Sequence, residues 1–595
     1  MNRAILAVVL FVPALLLAVP LQQVTIRPTE DQVEALPASV VPAVPDKAAD
    51  GSGFVIGAVD TIGGTTHDWQ MTGPVLRLLV NSPGVGIHAV FMYSASPLTT
   101  YADRNMRYNF YDKRLATPEW IWMDDDFMQS GVNVFLVRTG FGSLDVDPAT
   151  NAAVVSSHYY TTGSTYSPIV ARDAEPGTGF FDFLEGNPTI DNHSWPCVAV
   201  GMNSDIHLAM IAEPAMTNLF WSKSTDFTTW SAPLSIPPPK PEPGLADQNI
   251  TTSKVAGSQK LVIAWEKTGN TEPCPAFYRL STDGGTTWES PVELSKPPAY
   301  GGDTVTSFHS SAMFPFFDNN DELHFAVDVA PFVGGTGYIS PAQIWHWSES
   351  NSPNWSHIQT AAYHPTSPDA HVGYNALYAC RPSLGQDQNG NLFVTWEQFD
   401  SSNIEPGPPQ RLRADIFWSH SSDNGQTWAA AQKITDGGSV SYRFPCILDR
   451  IEDTVMVLYE IDKRAGFAMY NEPQSTMPTN NPIVVQKWAN PYGGGIKAGP
   501  RVEPLRMTAS AAPNPFARKT RIVYEVPRAG NVSLAVYDVA GRPVSVLASG
   551  VMEPGRHFAV WDGRDTNGAG LPAGVYMYKY VLGRDCVTGK LMLAD

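Results

Sequence analysis

Short apolar runs that end on an acidic residue recur along this chain. Leu261-Val262-Ile263-Ala264-Trp265 runs into Glu266, Leu392-Phe393-Val394-Thr395-Trp396 into Glu397, and Val455-Met456-Val457-Leu458-Tyr459 into Glu460. Fainter copies are Leu323-His324-Phe325-Ala326-Val327 before Asp328, Ile206-His207-Leu208-Ala209-Met210, and Ile87-His88-Ala89-Val90-Phe91. Runs this short, rich in β-branched and aromatic residues, read as buried strands. A turn of Gly, Asn and Asp precedes each, as in Asp387-Gln388-Asn389-Gly390 and Asp318-Asn319-Asn320-Asp321. Before the turn lies a Pro-led apolar strand, at residues 196–200, 382–384 and 445–448. Downstream comes an aromatic strand such as Ile416-Phe417-Trp418 or Ile344-Trp345-His346-Trp347, then a second turn and a last strand.

The unit is therefore a four-stranded antiparallel blade, repeated. One blade cannot bury both of its faces, so several must stack radially into an all-β propeller. The spacing predicts blades near 66–138, 141–185, 191–236, 247–294, 308–360, 375–434 and 441–490, within a propeller spanning 54–490. That makes seven; a six-bladed ring, merging the first two segments, is the alternative. Residues 54–59 are expected to complete the last blade and close the ring.

The turn after the third strand has its own signature. Ser281, Asp283, Gly285 and Trp288 recur in identical register as Ser421, Asp423, Gly425 and Trp428, both fitting S-x-D-x-G-x-x-W. Ser and Asp side chains can bond nearby backbone N–H groups, Gly can take φ > 0, and Trp can fold back as an apolar plug. Decayed copies stand at 348–355 and 224–230. The motif resembles the Asp-box (BNR) repeat of the sialidase, or neuraminidase, superfamily. That resemblance implies a structural role for these eight residues on the rim, away from any ligand face.

From residue 505 to 595 the texture changes to period-two alternation broken by Gly, Asn and Asp turns, which indicates a small β-sandwich. Asn514-Pro515-Phe516, the strands at 520–526 and 532–538, Trp561-Asp562-Gly563 and Gly574-Val575-Tyr576 occur in an order similar to two related families. One is the Ig-like domain of the flagellar hook-capping protein; the other is the sorting domain of type IX secretion substrates. Both imply an adaptor or export module, with secretion or envelope machinery as its partner. Residues 491–504 read as a linker.

Composition narrows the setting. The chain has 595 residues and a formal net charge of −19, which argues against a nucleic-acid partner. Met1-Asn2-Arg3 followed by an apolar run has the layout of a secretory signal over 1–20, and residues 21–53 read as a Pro-rich flexible leader. A retained anchor is the alternative for that run. After signal removal no membrane span is expected, and the destination is the extracellular space or the cell surface. Five cysteines fit buried thiols better than paired or metal-bound ones. No CxxC, HExxH, EF-hand loop or P-loop occurs, so neither a metal nor a cofactor is expected.

Propellers work at the face where first strands begin and second strands end. That places Asp191, Asn192, His193, Asp247, His309, Arg381, Tyr442 and Arg443 beside Glu266, Asp328, Glu397 and Glu460. Such a ring can bind a sugar or a carboxylate, because Arg pairs carboxylates bidentately. The plainer reading is that the recurrent acid belongs to the repeat and bonds the neighbouring blade. The sialidase resemblance implies an Arg cluster, an Asp acid/base and a Tyr nucleophile assisted by a Glu. Tyr442-Arg443-Phe444-Pro445 is similar to the family's F/Y-R-I-P motif, but it follows both intact boxes instead of preceding them. The catalytic candidates are Arg443, Tyr442, Arg381, Glu397 and Glu266; the binding candidates are His193, His309, Asp328 and Glu460. Three functions stay open: a glycan- or surface-binding propeller, a glycoside hydrolase of the exo-sialidase type, and a protein-interaction scaffold.

Overall fold

The computed structural model describes residues 57–71, 75–160, 166–187, 189–212, 218–236, 245–267, 275–298, 306–308, 313–333, 336–337, 340–361, 370–372, 376–406, 410–466, 478–493, 506–512, 514–552 and 554–594. The signal and leader expected over 1–53, most of the expected linker, and His309 lie outside them.

Among the described residues the chain is all-β apart from one 3-10 turn, Phe127–Gln129. Seven sheets form the blades of the propeller, and two more form the C-terminal sandwich. Blade 1 begins at Leu79–Ser82, blade 2 at Thr139–Val146, blade 3 at His193–Val200 and blade 4 at Leu245–Thr252. Blade 5 begins at Thr306–Phe308 and Phe314–Phe317, blade 6 at Ala379–Asp387 and blade 7 at Ser441–Ile447. The long apolar runs are the second strands, buried on both faces by neighbouring blades, which is why they lack alternation.

The ring closes through its N-terminal strand, but further along the chain than the hydrophobic pattern places it. Ala58–Thr65 pairs antiparallel with Asn481–Ala489 and becomes the outer strand of blade 7. Gly63 and Gly64 are inside this strand. A Cβ on Gly63 would lie 2.1 Å from the Phe91 ring, so the close packing of blade 7 on blade 1 requires glycine.

The first strands share a device that the Pro-led pattern only hinted at. A β-bulge interrupts the pairing of first and second strand in blades 2, 3, 6 and 7. In each, the bulged residue has positive φ although it is not glycine: Phe141 at 54°, Trp195 at 54°, Arg381 at 58° and Phe444 at 58°. Such a backbone costs of order 1–3 kcal/mol, so something must hold it. In two blades the holder is the acid that follows the apolar run of the preceding blade's second strand. Asp328 accepts the N–H of Arg381 at 3.0 Å, and Glu397 accepts the N–H of Phe444 at 2.8 Å.

The axis of the ring is filled by the segment leading into blade 1. Val75 accepts a bond from Asn249 Nδ2 of blade 4, and Arg77 accepts one from Leu144 N of blade 2 while its guanidinium lies over Phe314 of blade 5. Leu78 N meets Cys446 Sγ of blade 7 at 3.3 Å. Residues 75–78 therefore reach four blades around the ring and plug the channel. The buried Cys197, Cys380 and Cys446 on the inner strands are thiols that take part in no disulfide.

The sandwich packs a three-stranded sheet on a four-stranded one around Phe516, Tyr524, Trp561 and Tyr580. It docks on the outer edge of blade 1. Arg521 donates to the Ile121 carbonyl and stacks on Phe558, Lys519 pairs with Asp124, and Arg556 lies 3.7 Å from Asp112. Burial at this seam lowers the Arg521 pKa to about 9.

Candidate functional site

The upper face, where first strands begin and second strands end, collects two groups of buried polar side chains. The first lies at the seam of blades 6 and 7. Arg381 and Arg443 both grip Glu397, with Arg443 Nε and Nη2 each 3.2 Å from its oxygens, and all three side chains are at most 1% exposed. Burial alone would raise the Glu397 pKa. The guanidiniums of Arg443 and Arg381 overcome it and hold the carboxyl at about 2. This triad brings together three of the catalytic candidates, and it uses them on one another: each oxygen of Glu397 meets a guanidinium.

The other candidates are scattered. The Tyr442 hydroxyl donates to Asp436, away from Arg443. Glu266 is buried at the end of the second strand of blade 4. His193 is half-buried, its ring edge-on to Phe220 at 5.2 Å, and its Nδ1 faces the carbonyls of Ile190 and Asp191. Asp328 serves the blade 6 bulge as described.

The second group, at the seam of blades 7, 1 and 2, contains one candidate, Glu460, among residues the sequence did not single out. Asn481 Nδ2 bridges Glu460 at 2.8 Å and Asp462 at 3.2 Å. Burial, followed by the nearby Asp68 carboxylate, raises the Glu460 pKa to about 8; burial, Asp68 and Glu460 also push Asp462 well up. At neutral pH this carboxyl cluster therefore holds protons.

Tyr101 adjoins the cluster, and burial together with Asp68, Glu460 and Asp462 keeps its phenol un-ionised. Its ring lies 4.5 Å from that of His67. A chain of rings continues through Phe141 to His158, which contacts Tyr166 at 4.6 Å and Trp195 at 4.7 Å. Burial, then the Arg104 and Arg138 charges, pushes the pKa of His67 and His158 well down, so both are neutral imidazoles. The Tyr101 hydroxyl and His158 Nδ1 are buried with no hydrogen-bond partner among the described residues.

Two cations complete the group. Arg104 Nε donates to the Thr139 carbonyl at 2.9 Å and its guanidinium lies 5.2 Å from the Phe141 ring centre. Arg138 Nε donates to the Tyr101 carbonyl at 2.9 Å. Among the described residues no carboxylate forms an ion pair with either guanidinium. The local fold explains the crowding: Gly140 stands where a Cβ would come within 2.6 Å of Arg104 Nε. Neutral imidazoles, a phenol and a protonated carboxyl beside two cations can exchange protons and hold an anionic ligand. Sequence reasoning missed His67, Tyr101, Arg104 and His158 because they share no motif. The only signal was their place in the repeat, at the ends of strands in blades 1, 2 and 7.

The two complete turns lie on the opposite, lower face. Ser281 Oγ accepts Gly285 N at 2.8 Å and donates to Asp283, which accepts Thr287 N at 2.8 Å. Ser421, Asp423, Gly425 and Thr427 repeat those bonds within 0.2 Å. Trp288 meets Trp221 and Trp428 meets His346, in each case a residue of the preceding blade's third strand, so the turn clamps two blades.

Residues 519–582 match the family described as FlgD Ig-like domain. No curated protein sequence matches the chain. Among solved structures, the chain is similar to an ulvan lyase of polysaccharide lyase family PL25, at 12% identity and TM-score 0.42, covering 69% of this chain and 93% of that one. It is also similar to an α-L-arabinanase of Penicillium chrysogenum, at 13% identity, TM-score 0.35 and coverage of 60% and 94%. A leech intramolecular trans-sialidase is similar at 11% identity, TM-score 0.34 and coverage of 73% and 70%.

Proposed function

We propose that this chain is an exported glycan-binding propeller whose saccharide site is the upper face between blades 7, 1 and 2. One observation carries the reading. Buried polar atoms of Tyr101 and His158, which protein groups normally satisfy, have no hydrogen-bond partner among the described residues and sit among flat rings. Saccharides offer both the hydroxyls such atoms require and apolar faces for aromatic rings. Arg104 and Arg138 favour a sugar carrying a carboxylate or sulfate.

The N-terminal apolar run supports export, and the Ig-like module fits an attachment or secretion adaptor. The repeat turns fit the sialidase superfamily's Asp-box in register and in hydrogen bonding. The blade 6–7 triad favours a structural role for Arg381, Glu397 and Arg443, since an incoming carboxylate would have to displace Glu397.

The test is a glycan array probed with the full chain, with neutral, carboxylated and sulfated saccharides side by side. Binding confined to acidic glycans, weakened about tenfold in Tyr101→Phe by loss of a buried hydrogen bond, is the expected result. Absence of binding to every saccharide would overturn the reading.

A second reading, enzymatic cleavage of the same glycan, is favoured by Glu460, whose pKa of about 8 keeps it a proton donor at neutral pH next to Tyr101, whose ring in turn meets neutral His67. Acid–base chemistry of this kind supplies typically about 10²–10⁴-fold in rate. Release of reducing ends from an array-positive glycan, abolished in His67→Gln, would establish it.

A further inference from the structure

The turn joining the first and second strands of blade 5, on the lower face, carries Asp318, Glu322 and His324. One potential ligand atom of each lies within 4.8 Å of the others. Asp318 and His324 side chains are both 0% exposed, yet among the described residues His324 Nε2 has no hydrogen-bond partner, and it stands 3.7 Å from Asp318 Oδ2.

The hydrogen bonds behind His324 decide what that nitrogen is. Its Nδ1 contacts His346 Nε2 at 2.9 Å, and His346 Nδ1 faces the Gly425 carbonyl at 3.2 Å. A carbonyl only accepts, so His346 Nδ1 carries the proton. The Ser356 hydroxyl, the other neighbour of that nitrogen, gives its own proton to the same carbonyl. In the tautomer that the bond to the Gly425 carbonyl fixes, His346 Nε2 is the acceptor. His324 Nδ1 is then the donor, and its Nε2 presents a lone pair to a carboxylate oxygen.

Two lone pairs facing each other repel, and a cation bound between them turns that repulsion into attraction. The 3.7 Å gap is too long for a hydrogen bond. It suits two ligands, each about 2.0–2.2 Å from a shared ion. Glu322 is oriented for the third position, because Ser350 Oγ and Asn424 Nδ2 hold its Oε2 at 2.8 and 3.0 Å. Asp318 is fixed as firmly: its Oδ1 accepts the N–H groups of Asn320 and Glu322, both at 2.8 Å. The His324–His346–Gly425 relay is the kind of outer support that ligating imidazoles use.

We propose that Asp318, Glu322 and His324 form a divalent-metal site of the zinc class that ties blade 5 to the blade 6 turn containing Gly425. One imidazole and two carboxylates suit Zn²⁺ or a similar borderline ion; Ca²⁺ takes six to eight oxygens. The D-x-x-x-E-x-H spacing reads in the sequence as an ordinary polar turn. Only the fold brings the relay behind it.

The test uses the chelator-stripped full chain, titrated with Zn²⁺ by calorimetry and analysed for bound metal after dialysis. One ion per chain is expected, with affinity reduced at least about tenfold in His324→Gln and in Glu322→Gln. Because His324 is buried, Glu322→Gln, at a half-buried position, guards against misfolding, with circular dichroism as the check. Chelator should lower the melting temperature of the metal-loaded parent and leave that of Glu322→Gln unchanged. No retained ion in the parent, or equal uptake by parent and both variants, would overturn the proposal.

Discussion

Glu397 of blade 6 accepts the backbone N–H of Phe444 in blade 7 at 2.8 Å, and the bond crosses the seam between the two blades. The same carboxylate neutralises Arg381 and Arg443. One side chain thus holds a strained bulge, two buried cations and an inter-blade contact. Glu397→Gln removes the charge and keeps the shape. Leaving two buried guanidiniums uncompensated is expected to cost about 3–5 kcal/mol in urea unfolding. A change under about 1 kcal/mol would show that the triad is not a structural tie.

The two carboxylates Glu397 and Glu460 make opposite contributions to stability against pH. The folded-state pKa of Glu397 is depressed from 4.5 to about 2, so its contribution is present above pH 4.5 and is lost as pH falls toward 2. That of Glu460 is raised from 4.5 to about 8, so its contribution is complete below pH 4.5 and is lost as pH rises through 8. Each tenfold change in a group's proton affinity on folding is equivalent to roughly 1.4 kcal/mol. Melting temperatures between pH 5 and 9 should therefore fall with rising pH in the parent and fall less steeply in Glu460→Gln, where Asp462 and Asp173 still have raised pKa values. A parent profile already flat over that range would contradict a protonated Glu460.

The two complete turns should not be equally sensitive. Trp428 is 7% exposed and donates to Ser356 Oγ at 3.1 Å, whereas Trp288 is only half-buried. Trp428→Ala is expected to cost about 3–5 kcal/mol, with Trp288→Ala clearly less. Gly425→Ala should be damaging for a separate reason: φ is 76° there, and a Cβ would lie 2.2 Å from the His346 ring. Chemical denaturation of the three variants ranks them.

Arg521 anchors the sandwich to blade 1, with a side chain 3% exposed. Arg521→Ala is expected to free the two domains from each other without unfolding either. Limited proteolysis should then cut within residues 490–510 faster than in the parent, while far-ultraviolet circular dichroism stays the same. Unchanged cleavage would mean that the seam does not depend on this residue.

How far the sequence carried the architecture follows from the physics of repeats. A strand buried on both faces is a short apolar run whatever surrounds it, and a self-capped turn needs its Ser, Asp and Gly at fixed offsets. Blade number, strand order and the position of the two turns were therefore legible from local pattern. The closing strand lies at Ala58–Thr65, further along than the apolar run at 54–59 indicated, because Gly63 is constrained by the Phe91 ring of another blade and carries no apolar signal of its own. The recurrent Glu was visible as a repeat feature, but whether its charge met a ligand or a neighbour depended on Arg443, separated from Glu397 by a whole turn of the blade pattern.

The upper-face group of His67, Tyr101, Arg104, His158 and Glu460 has no signature in the chain, because its members come from three blades and meet only when the ring closes. The same holds for His324, whose lone pair is defined by His346 and by the Gly425 carbonyl of the next blade. The sequence by itself determined a ring of four-stranded blades with clamping turns and a C-terminal sandwich, since periodicity and turn chemistry act over a few residues. Tertiary structure alone decided which polar groups are satisfied by other protein groups and which are not, because burial and partner geometry are set by side chains remote in sequence.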